Sequence, residues 1–231
     1  MINIFYAGCG PYAPFITLVA PFFKSDEIQF CLLEINKTSL ESAKNLINSL
    51  ELSNYVKAFY LADAVTFKIP NPDTFHILIS ETLDALLFRE SYVPILFNLL
   101  PQLHKNITLI PENVCLNLNL LTYSEKSSKP IEYEIETVLN VRERLLSRKF
   151  NSTIPSQLSD KKINLRPLNI DPSKNILLDT QVHIYKNIWL NRNESSLTIP
   201  CEIKLKNPAQ NNSIIFTYFM SPNVELKYRF E

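Results

Sequence analysis

Glycine is nearly absent from this chain. Only two glycines occur among its 231 residues, and both lie in the tripeptide Gly8-Cys9-Gly10. In so glycine-poor a chain, these two are expected where the backbone needs unusual freedom. Excess charge is also absent, because 23 Lys and Arg residues balance 23 Asp and Glu residues. The balance argues against a nucleic-acid partner bound through a strong basic field.

The four cysteines are too scattered in sequence to suggest a metal site. They are Cys9, Cys31, Cys115 and Cys201, with no Cys-x-x-Cys pair or Cys/His cluster among them. Cys9 and Cys31 lie in apolar runs and are expected to be buried and reduced, which favours a cytoplasmic setting. No apolar run reaches the roughly 18 residues of a membrane span, and the start MINIFYAG has no basic leader. We therefore predict neither a metal nor a membrane partner.

The first half of the chain alternates short apolar runs with stretches of helical spacing. Apolar residues make up 46% of the chain, enough for a sizeable core. The stretch TSLESAKNLINSL predicts a helix that begins in a capping box of Thr38 and Glu41. Strands that alternate with helices are typical of a parallel sheet. The predicted strands are NIFYAG, IQFCLLE, YVKAFYL, FHILIS and NITLI.

After Pro111 the apolar residues recur at every second position. This period, interrupted by Asn, Pro and Ser, is typical of antiparallel strands with one solvated face. One helix, over VRERLLSRKF, is expected among the strands. The sequence thus predicts an α/β fold, with a Rossmann-like parallel-sheet domain over residues 1–111 and a small antiparallel β-barrel or sandwich over residues 112–231. The alternating segments are VCLNLNLLTY, IEYEIETV, VHIYKNIW, IPCEIKL, SIIFTYF and VELKYRF.

The turn after the first strand has the composition of a nucleotide cradle. In YAGCGPYAPF, Gly8 and Gly10 allow the backbone to approach a ligand closely. The third glycine of a dinucleotide fingerprint is missing, and an ordinary strand-to-helix turn is the alternative. Tyr12 and Phe15 either border the ligand or pack against the protein.

Two acids follow the next two strands. Glu34 ends the second strand, where a carboxylate can accept both ribose hydroxyls of an adenosine. Asp63 follows the third strand and could accept from an adenine amino group, or it could cap a turn. The order of glycine turn, strand-end glutamate and aspartate fits S-adenosylmethionine better than a nicotinamide dinucleotide.

The segment SETLDALLFRES, residues 80–91, follows the fourth strand and carries Glu81 and Glu90 around an apolar centre. Glutamates among apolar residues usually lie on the solvated face of a helix. Ligands of parallel sheets, however, bind at the carboxyl ends of the strands, and this segment follows such an end. Here the sequence resembles the protein arginine methyltransferase family, whose double-E hairpin loop follows the fourth strand in the pattern S-E, seven or eight residues, E-S. The stretch LIPENVCLNLNLL also resembles the strand that leads into that family's β-barrel.

The resemblance implies a role for each matching residue. It implies that Glu34 binds the ribose of S-adenosylmethionine, that Asp63 and Ala64 border the adenine, and that Glu81 and Glu90 grip a guanidinium. Residues 1–111 would then bind the cofactor and residues 112–231 the substrate. The implied activity is N-methylation of arginine in a peptide or protein.

Some family features are not matched. The family's Thr-His-Trp motif should fall near NILLDTQ, where Asp179 stands and the nearest histidine is His183. The second half is also too short for the family's dimerisation arm, so we expect at most a homodimer without a long arm. Two alternatives stay open: a methyltransferase on another nucleophile, with Glu81 or Glu90 as general base, and a non-catalytic binding subunit of the same fold.

Overall fold

The computed structural model describes residues 1–122, 131–147, 153–168, 174–204 and 212–231. The chain divides into two compact units. The first unit consists of Met1–Leu83 and Ser91–Glu112, and the second of Asp84–Glu90 and Asn113–Glu231. Within the described ranges, no helix is long and apolar enough to cross a membrane.

The first unit is built on one parallel sheet. Its strand order is β3-β2-β1-β4-β5, and all four neighbouring pairs run parallel. The order reverses between β1 and β4, so the sheet has its topological switch point there. All seven residues of β2 are buried, as expected for a strand covered on both faces. The strands are β1 (Ile2–Ala7), β2 (Ile28–Glu34), β3 (Val56–Leu61), β4 (Ile77–Ser80) and β5 (Thr108–Ile110).

The N-cap of helix α1 (Lys37–Ser49) is Asn36, two residues before the predicted N-cap Thr38. The predicted caps Thr38 and Glu41 are wrong, because the Oδ1 atom of Asn36 accepts the hydrogen bond from the Ser39 N–H at 3.1 Å. Asparagine is among the strongest N-cap residues, and it precedes both predicted positions. The helix buries Leu40, Ala43 and Ile47 on one face, and Leu50 at its end is exposed.

The remaining helices of the first unit are short. The segment after β1 forms a π-helical turn and a 3₁₀ turn, and α2 (Tyr92–Leu99) ends in another 3₁₀ turn at Pro101. A proline lacks the N–H that a continuing helix needs, which accounts for this end. The short turns of this unit are Phe15–Val19, Ala20–Phe22, Ser53–Tyr55, Pro72–Thr74 and Leu100–Gln102.

The second unit consists of antiparallel sheets. One sheet has the order β10-β9-β6-β7, with β11 paired to β9, and the other has the order β13-β12-β8. Its only α-helix among the described residues, α3 (Val141–Leu146), confirms the helix predicted within VRERLLSRKF, whose last residues lie outside the described ranges. The strands are β6 (Asn113–Thr122), β7 (Ile131–Asn140), β8 (Lys161–Asn164), β9 (Lys174–Tyr185), β10 (Ile188–Leu190), β11 (Cys201–Ile203), β12 (Ser213–Phe219) and β13 (Glu225–Phe230).

Candidate functional site

The glycine turn lies at the carboxyl end of β1, beside the switch point. Gly8 and Gly10 have φ of +72° and +59°, a left-handed conformation that favours glycine. A Cβ atom on Gly8 would fall 2.3 Å from the Cγ2 atom of Thr82, whereas a Cβ on Gly10 would meet nothing within 4 Å. Gly8 is thus required both by its backbone conformation and by close packing. Gly10 is required by its backbone conformation alone, and the space beside its backbone is open.

Glu34 connects the glycine turn to the end of β2. It is 8% exposed, its Oε2 accepts the Gly10 N–H at 2.9 Å, and its Oε1 accepts the Asn36 N–H at 2.9 Å. An ionised carboxylate has about four lone-pair sites. Each oxygen of Glu34 can therefore accept a second hydrogen bond, as a ribose diol would require.

Asp63 organises a turn after β3. Its Oδ1 accepts the Val65 N–H at 2.9 Å, and its carbonyl oxygen accepts the N–H groups of Thr66 and Phe67 at 3.1 and 2.9 Å. The turn-capping alternative is therefore realised in the structure. The next residue, Ala64, is buried, and its carbonyl accepts from the Asn98 side chain at 2.8 Å. Contact of Asp63 and Ala64 with an adenine stays a prediction.

The two aromatic residues after the glycine turn differ in exposure. Tyr12 is 71% exposed, so its side chain is free to cover a ligand bound at the turn. Phe15 packs edge to face on Tyr6, with ring centroids 5.3 Å apart. The packing alternative thus holds for Phe15, and a ligand contact by Tyr12 stays a prediction.

Glu81 is fixed to β1 through both its backbone and its side chain. Its N–H donates to the Ala7 carbonyl at 3.1 Å, and its Oε2 accepts a short hydrogen bond from the Tyr6 hydroxyl. This places Glu81 at the switch point, next to the turn that carries Gly8 and Gly10. The sequence interpretation missed Tyr6. A signal for it existed, because a tyrosine within an otherwise apolar, buried strand needs a partner for its hydroxyl.

Glu90 belongs to the segment Asp84–Glu90, which is part of the second unit. The carboxylate of Asp84 organises this segment, because its oxygens accept the N–H groups of Arg89 and Glu90 at 3.0 and 3.3 Å. The Leu86 N–H donates to the Thr180 hydroxyl on β9 at 2.8 Å. Since Glu81 and Glu90 lie in different units, their convergence on one acceptor stays a prediction.

The apolar centre of SETLDALLFRES anchors the segment. Leu86 and Leu87 are buried, although both have positive φ of 61° and 55°. Such a conformation is costly for residues with a Cβ and persists only where packing fixes it. Leu86 and Leu87 are therefore buried side chains that hold the segment, whereas Glu81 and Glu90 are exposed.

The stretch NILLDTQ, near which the Thr-His-Trp motif of the resembled family was expected, lies within β9 and contains Asp179. Thr180 holds Leu86, and Asp179 is a 5%-exposed carboxylate bound by Arg192. His183 stacks on Trp189, with ring centroids 3.9 Å apart and an angle of 5° between the planes. These contacts give His183 a structural role in the hairpin of β9 and β10.

Cys9 lies within the glycine turn and is 1% exposed. Burial, with a further contribution from the nearby Glu34 carboxylate, raises the pKa of its thiol to about 12. A thiol reacts with alkylating reagents as the thiolate, so it is inert well below this pKa. Among the described residues, no group of three or more His, Cys, Asp and Glu side chains is placed to hold a metal ion.

We expect iodoacetamide at pH 8 to leave Cys9 unmodified in the folded protein. The exposed Cys201 is the internal control and should be alkylated under the same conditions. Peptide mass mapping before and after unfolding in urea measures both sites. Alkylation of Cys9 at the rate of Cys201 in the folded protein would contradict the buried, neutral thiol.

Comparison with known proteins gives structural matches alone. No protein-family model and no curated protein matches the chain. The Trypanosoma brucei PRMT1 enzyme–prozyme heterotetrameric complex with AdoHcy matches with a TM-score of 0.53 and 9% identity, over 100% of this chain and 84% of that chain. The cyclase SpnF matches with a TM-score of 0.37 and 17% identity, over 51% of this chain and 39% of SpnF. A StiE O-MT domain matches with a TM-score of 0.33 and 14% identity, over 55% and 41% of the two chains.

The PRMT1 match spans both units, the parallel sheet and the antiparallel strands. This chain therefore shares the fold of that PRMT1 structure. The predicted order of a Rossmann-like sheet domain followed by an antiparallel β domain is thereby confirmed. The other two matches cover about half of this chain, at TM-scores too low to support a shared fold.

Proposed function

We propose that this protein binds S-adenosylmethionine at the carboxyl ends of β1, β2 and β3. The support is the meeting of Glu34 and Gly10 at the switch point, where the carboxylate lies at the end of β2 and hydrogen-bonds the turn after β1. Glu34 accepts the ribose hydroxyls, Gly8 and Gly10 let the backbone approach the ligand, and Asp63, Ala64 and Tyr12 border the adenosine. Bound in this way, S-adenosylmethionine supplies an electrophilic methyl group on a positively charged sulfur.

The proposed acceptor is a guanidinium nitrogen of arginine in a peptide or protein. The observation that carries this proposal is the position of Glu81, an exposed carboxylate fixed at the switch point beside the glycine turn. Glu90 supplies the second carboxylate of the double-E pattern. Arginine offers five N–H donors in a planar fork, which two carboxylates can hold by charge-assisted hydrogen bonds.

Two held N–H groups draw the positive charge of the guanidinium toward themselves. The remaining terminal nitrogen becomes more nucleophilic, and its lone pair forms the new N–C bond as the S–C bond breaks. The proton released from that nitrogen passes to a carboxylate or to water. Most of the acceleration is expected from alignment, because a fixed nucleophile avoids the entropy cost of a bimolecular encounter.

A labelled methyl-transfer assay tests this function. The protein is incubated with S-adenosylmethionine carrying a deuterated methyl group and with paired peptides that differ only by Arg or Lys at one position. We expect the mass increase on the Arg peptide and its localisation to the guanidinium by fragmentation. Methylation of a hydroxyl or an amine instead would support the general-base alternative, in which Glu81 or Glu90 accepts the proton. Cofactor binding without transfer to any acceptor would support the binding-subunit alternative.

We expect Glu34→Ala to weaken the binding of S-adenosylhomocysteine by about ten- to one-hundredfold. The loss corresponds to about 1.5–3 kcal/mol, the range for a hydrogen bond to a charged group. Isothermal titration calorimetry measures the dissociation constant.

The matched control for Glu34→Ala is Asn36→Ala. The Asn36 side chain caps α1, and its removal costs about 1 kcal/mol of stability but keeps the backbone N–H that donates to Glu34. The control should therefore lower the melting temperature and leave the cofactor affinity unchanged. Equal affinities of wild type and Glu34→Ala would exclude Glu34 as the ribose ligand.

The remaining proposals concern partners. A peptide or protein substrate follows from the arginine acceptor, and a homodimer without a long arm remains the proposed assembly. Exposed apolar side chains of the first unit, Leu18 and Phe22 at 69% and 84% exposure, offer surface for such a dimer. A cytoplasmic location and the absence of nucleic-acid and membrane partners remain predictions from the sequence.

A further inference from the structure

Tyr6 carries a polar hydroxyl in β1, the central strand of the parallel sheet. It lies in β1, between Leu32 of β2 and Ile79 of β4, and it is fully buried. Central strands of a parallel sheet are normally apolar, because both faces are covered. A buried phenol is tolerated where its hydroxyl has a partner, and the partner here is the Oε2 atom of Glu81.

The phenol of Tyr6 acts as a hydrogen-bond donor and not as a base. Burial, followed by the hydrogen bond to Glu81, raises the pKa of Tyr6 far above its ordinary value. The hydroxyl is therefore protonated at neutral pH and can donate to Glu81. Its ring is held in place by the strand and by the edge-to-face contact with Phe15, at 5.3 Å between centroids. The donor is thus a fixed point in the sheet.

Glu81 needs such a fixed point. Its side chain is exposed, and an exposed glutamate normally samples many rotamers. The backbone of Glu81 is already fixed by the N–H bond to Ala7 at 3.1 Å and by the packing of Thr82 against Gly8. The hydrogen bond from Tyr6 fixes the remaining freedom, that of the carboxylate itself. The bond from Tyr6 occupies one lone pair of Oε2, so the held carboxylate can still accept N–H groups of the methyl acceptor.

We propose that Tyr6 is a positioning residue, which orients the Glu81 carboxylate before the methyl acceptor binds. This inference rests on the proposed function of Glu81. Tyr6 itself contacts neither acceptor nor cofactor in this proposal. Its contribution is preorganisation, because a carboxylate already held in one rotamer loses no rotational freedom when the acceptor binds.

The test is Tyr6→Phe, which keeps the ring and removes the hydroxyl. We expect kcat for methyl transfer to fall about tenfold, because Glu81 then spends most of its time in unproductive rotamers. The dissociation constant for S-adenosylhomocysteine should stay within about twofold of wild type, since Glu34 is untouched. A merely structural role would instead lower the melting temperature and weaken cofactor binding and turnover together.

Tyr55→Phe is the matched control. The Tyr55 hydroxyl also makes a hydrogen bond, to the Phe23 carbonyl at 2.6 Å, but Tyr55 precedes β3 and lies at the opposite, amino end of the sheet from Glu81. This variant should keep the wild-type kcat.

A spectroscopic measurement reads the contact without any turnover. In protein labelled with ¹³C at glutamate carboxyls, Glu81→Gln identifies the Glu81 resonance by its disappearance. We expect Tyr6→Phe to shift that resonance and Tyr55→Phe to leave it in place. Should Tyr6→Phe not fold, the wild-type Glu81 resonance is compared in H₂O and D₂O with that of Glu41, an exposed glutamate that pairs with Lys37 at the surface. We expect a larger isotope shift at Glu81, because the Tyr6 O–H bond adds to the effect of solvent.

The outcomes separate this inference from the proposed function. If Tyr6→Phe keeps the wild-type kcat while Glu81→Gln lowers it, the positioning role of Tyr6 is wrong and the methyltransferase proposal still holds. An unshifted Glu81 resonance in Tyr6→Phe, or an isotope shift at Glu81 no larger than that at Glu41, would also overturn the positioning role. No methyl transfer by the wild type to any acceptor would overturn the proposed function itself, and the positioning role with it.

Discussion

Glu81→Gln is expected to lower kcat for methyl transfer by about ten- to one-hundredfold. The glutamine keeps the shape of the side chain and can still accept the hydrogen bond from Tyr6, but it removes the negative charge. Charge-assisted hydrogen bonds contribute about 1.5–3 kcal/mol each, and every 1.36 kcal/mol changes a rate tenfold. The binding of S-adenosylhomocysteine should change less than about twofold, because Glu34 and not Glu81 is the proposed ribose ligand.

Glu90→Gln should behave in the same way, because the clamp needs both charges. Rates with an arginine peptide and calorimetry with S-adenosylhomocysteine together separate acceptor from cofactor effects. Glu41→Gln is the control, since Glu41 lies on the exposed face of α1 in a surface pair with Lys37 at 3.7 Å. Such pairs contribute little. Wild-type rates in both Glu81→Gln and Glu90→Gln, or a neutral acceptor, would refute the guanidinium clamp.

The fold could be predicted from periodicity because burial dictates it. β2 is buried on both faces, so its sequence IQFCLLE is almost continuously apolar, and the change to alternation after Pro111 marks the antiparallel strands. The start of α1 was predicted incorrectly because several residues there could cap it. The hydrogen bond from the Ser39 N–H to Asn36 settles which of them does.

The candidate site could be predicted only where a residue's place in its strand determines its position. Glu34 is such a residue, since the end of β2 in a parallel sheet must lie near the turn after β1. The bond from Tyr6 to Glu81 joins residues far apart in sequence, and it exists because β1 and β4 are neighbours. The assignment of Asp84 to the second unit likewise depends on packing, which spacing within SETLDALLFRES does not encode.

Arg192→Met is expected to lower the free energy of unfolding of the second unit by about 3–5 kcal/mol. Arg192 forms a bidentate ion pair with Asp179. Its Nε donates to Oδ1 at 2.8 Å and its Nη2 donates to Oδ2. Asp179 also accepts from the Asn119 side chain and is 5% exposed. Removing the arginine leaves a buried charge without its cation, and that loss is costly.

The protein offers a matched control for this pair. Arg229 and Asp160 form an ion pair at 3.2 Å whose side chains are 56% and 41% exposed. Because exposed pairs contribute about 0–1 kcal/mol, Arg229→Met should change the unfolding free energy little. Urea unfolding followed by fluorescence of Trp189 measures both variants, since this residue is the single tryptophan and lies on β10, paired to β9.

The double variant Arg192→Met with Asp179→Asn identifies the cause of the loss. An amide at position 179 removes the unpaired buried charge, so this second substitution should restore part of the stability that Arg192→Met loses.

The pair of Arg192 and Asp179 also bears on the proposed acceptor site. Asp179 precedes Thr180, whose hydroxyl accepts the Leu86 N–H within the segment of Glu90. Arg192→Met should therefore loosen that segment before the unit unfolds, with faster amide exchange at Leu86. Equal stability losses in Arg192→Met and Arg229→Met would show that Asp179 is solvated rather than buried, and that Arg192 does not stabilise β9.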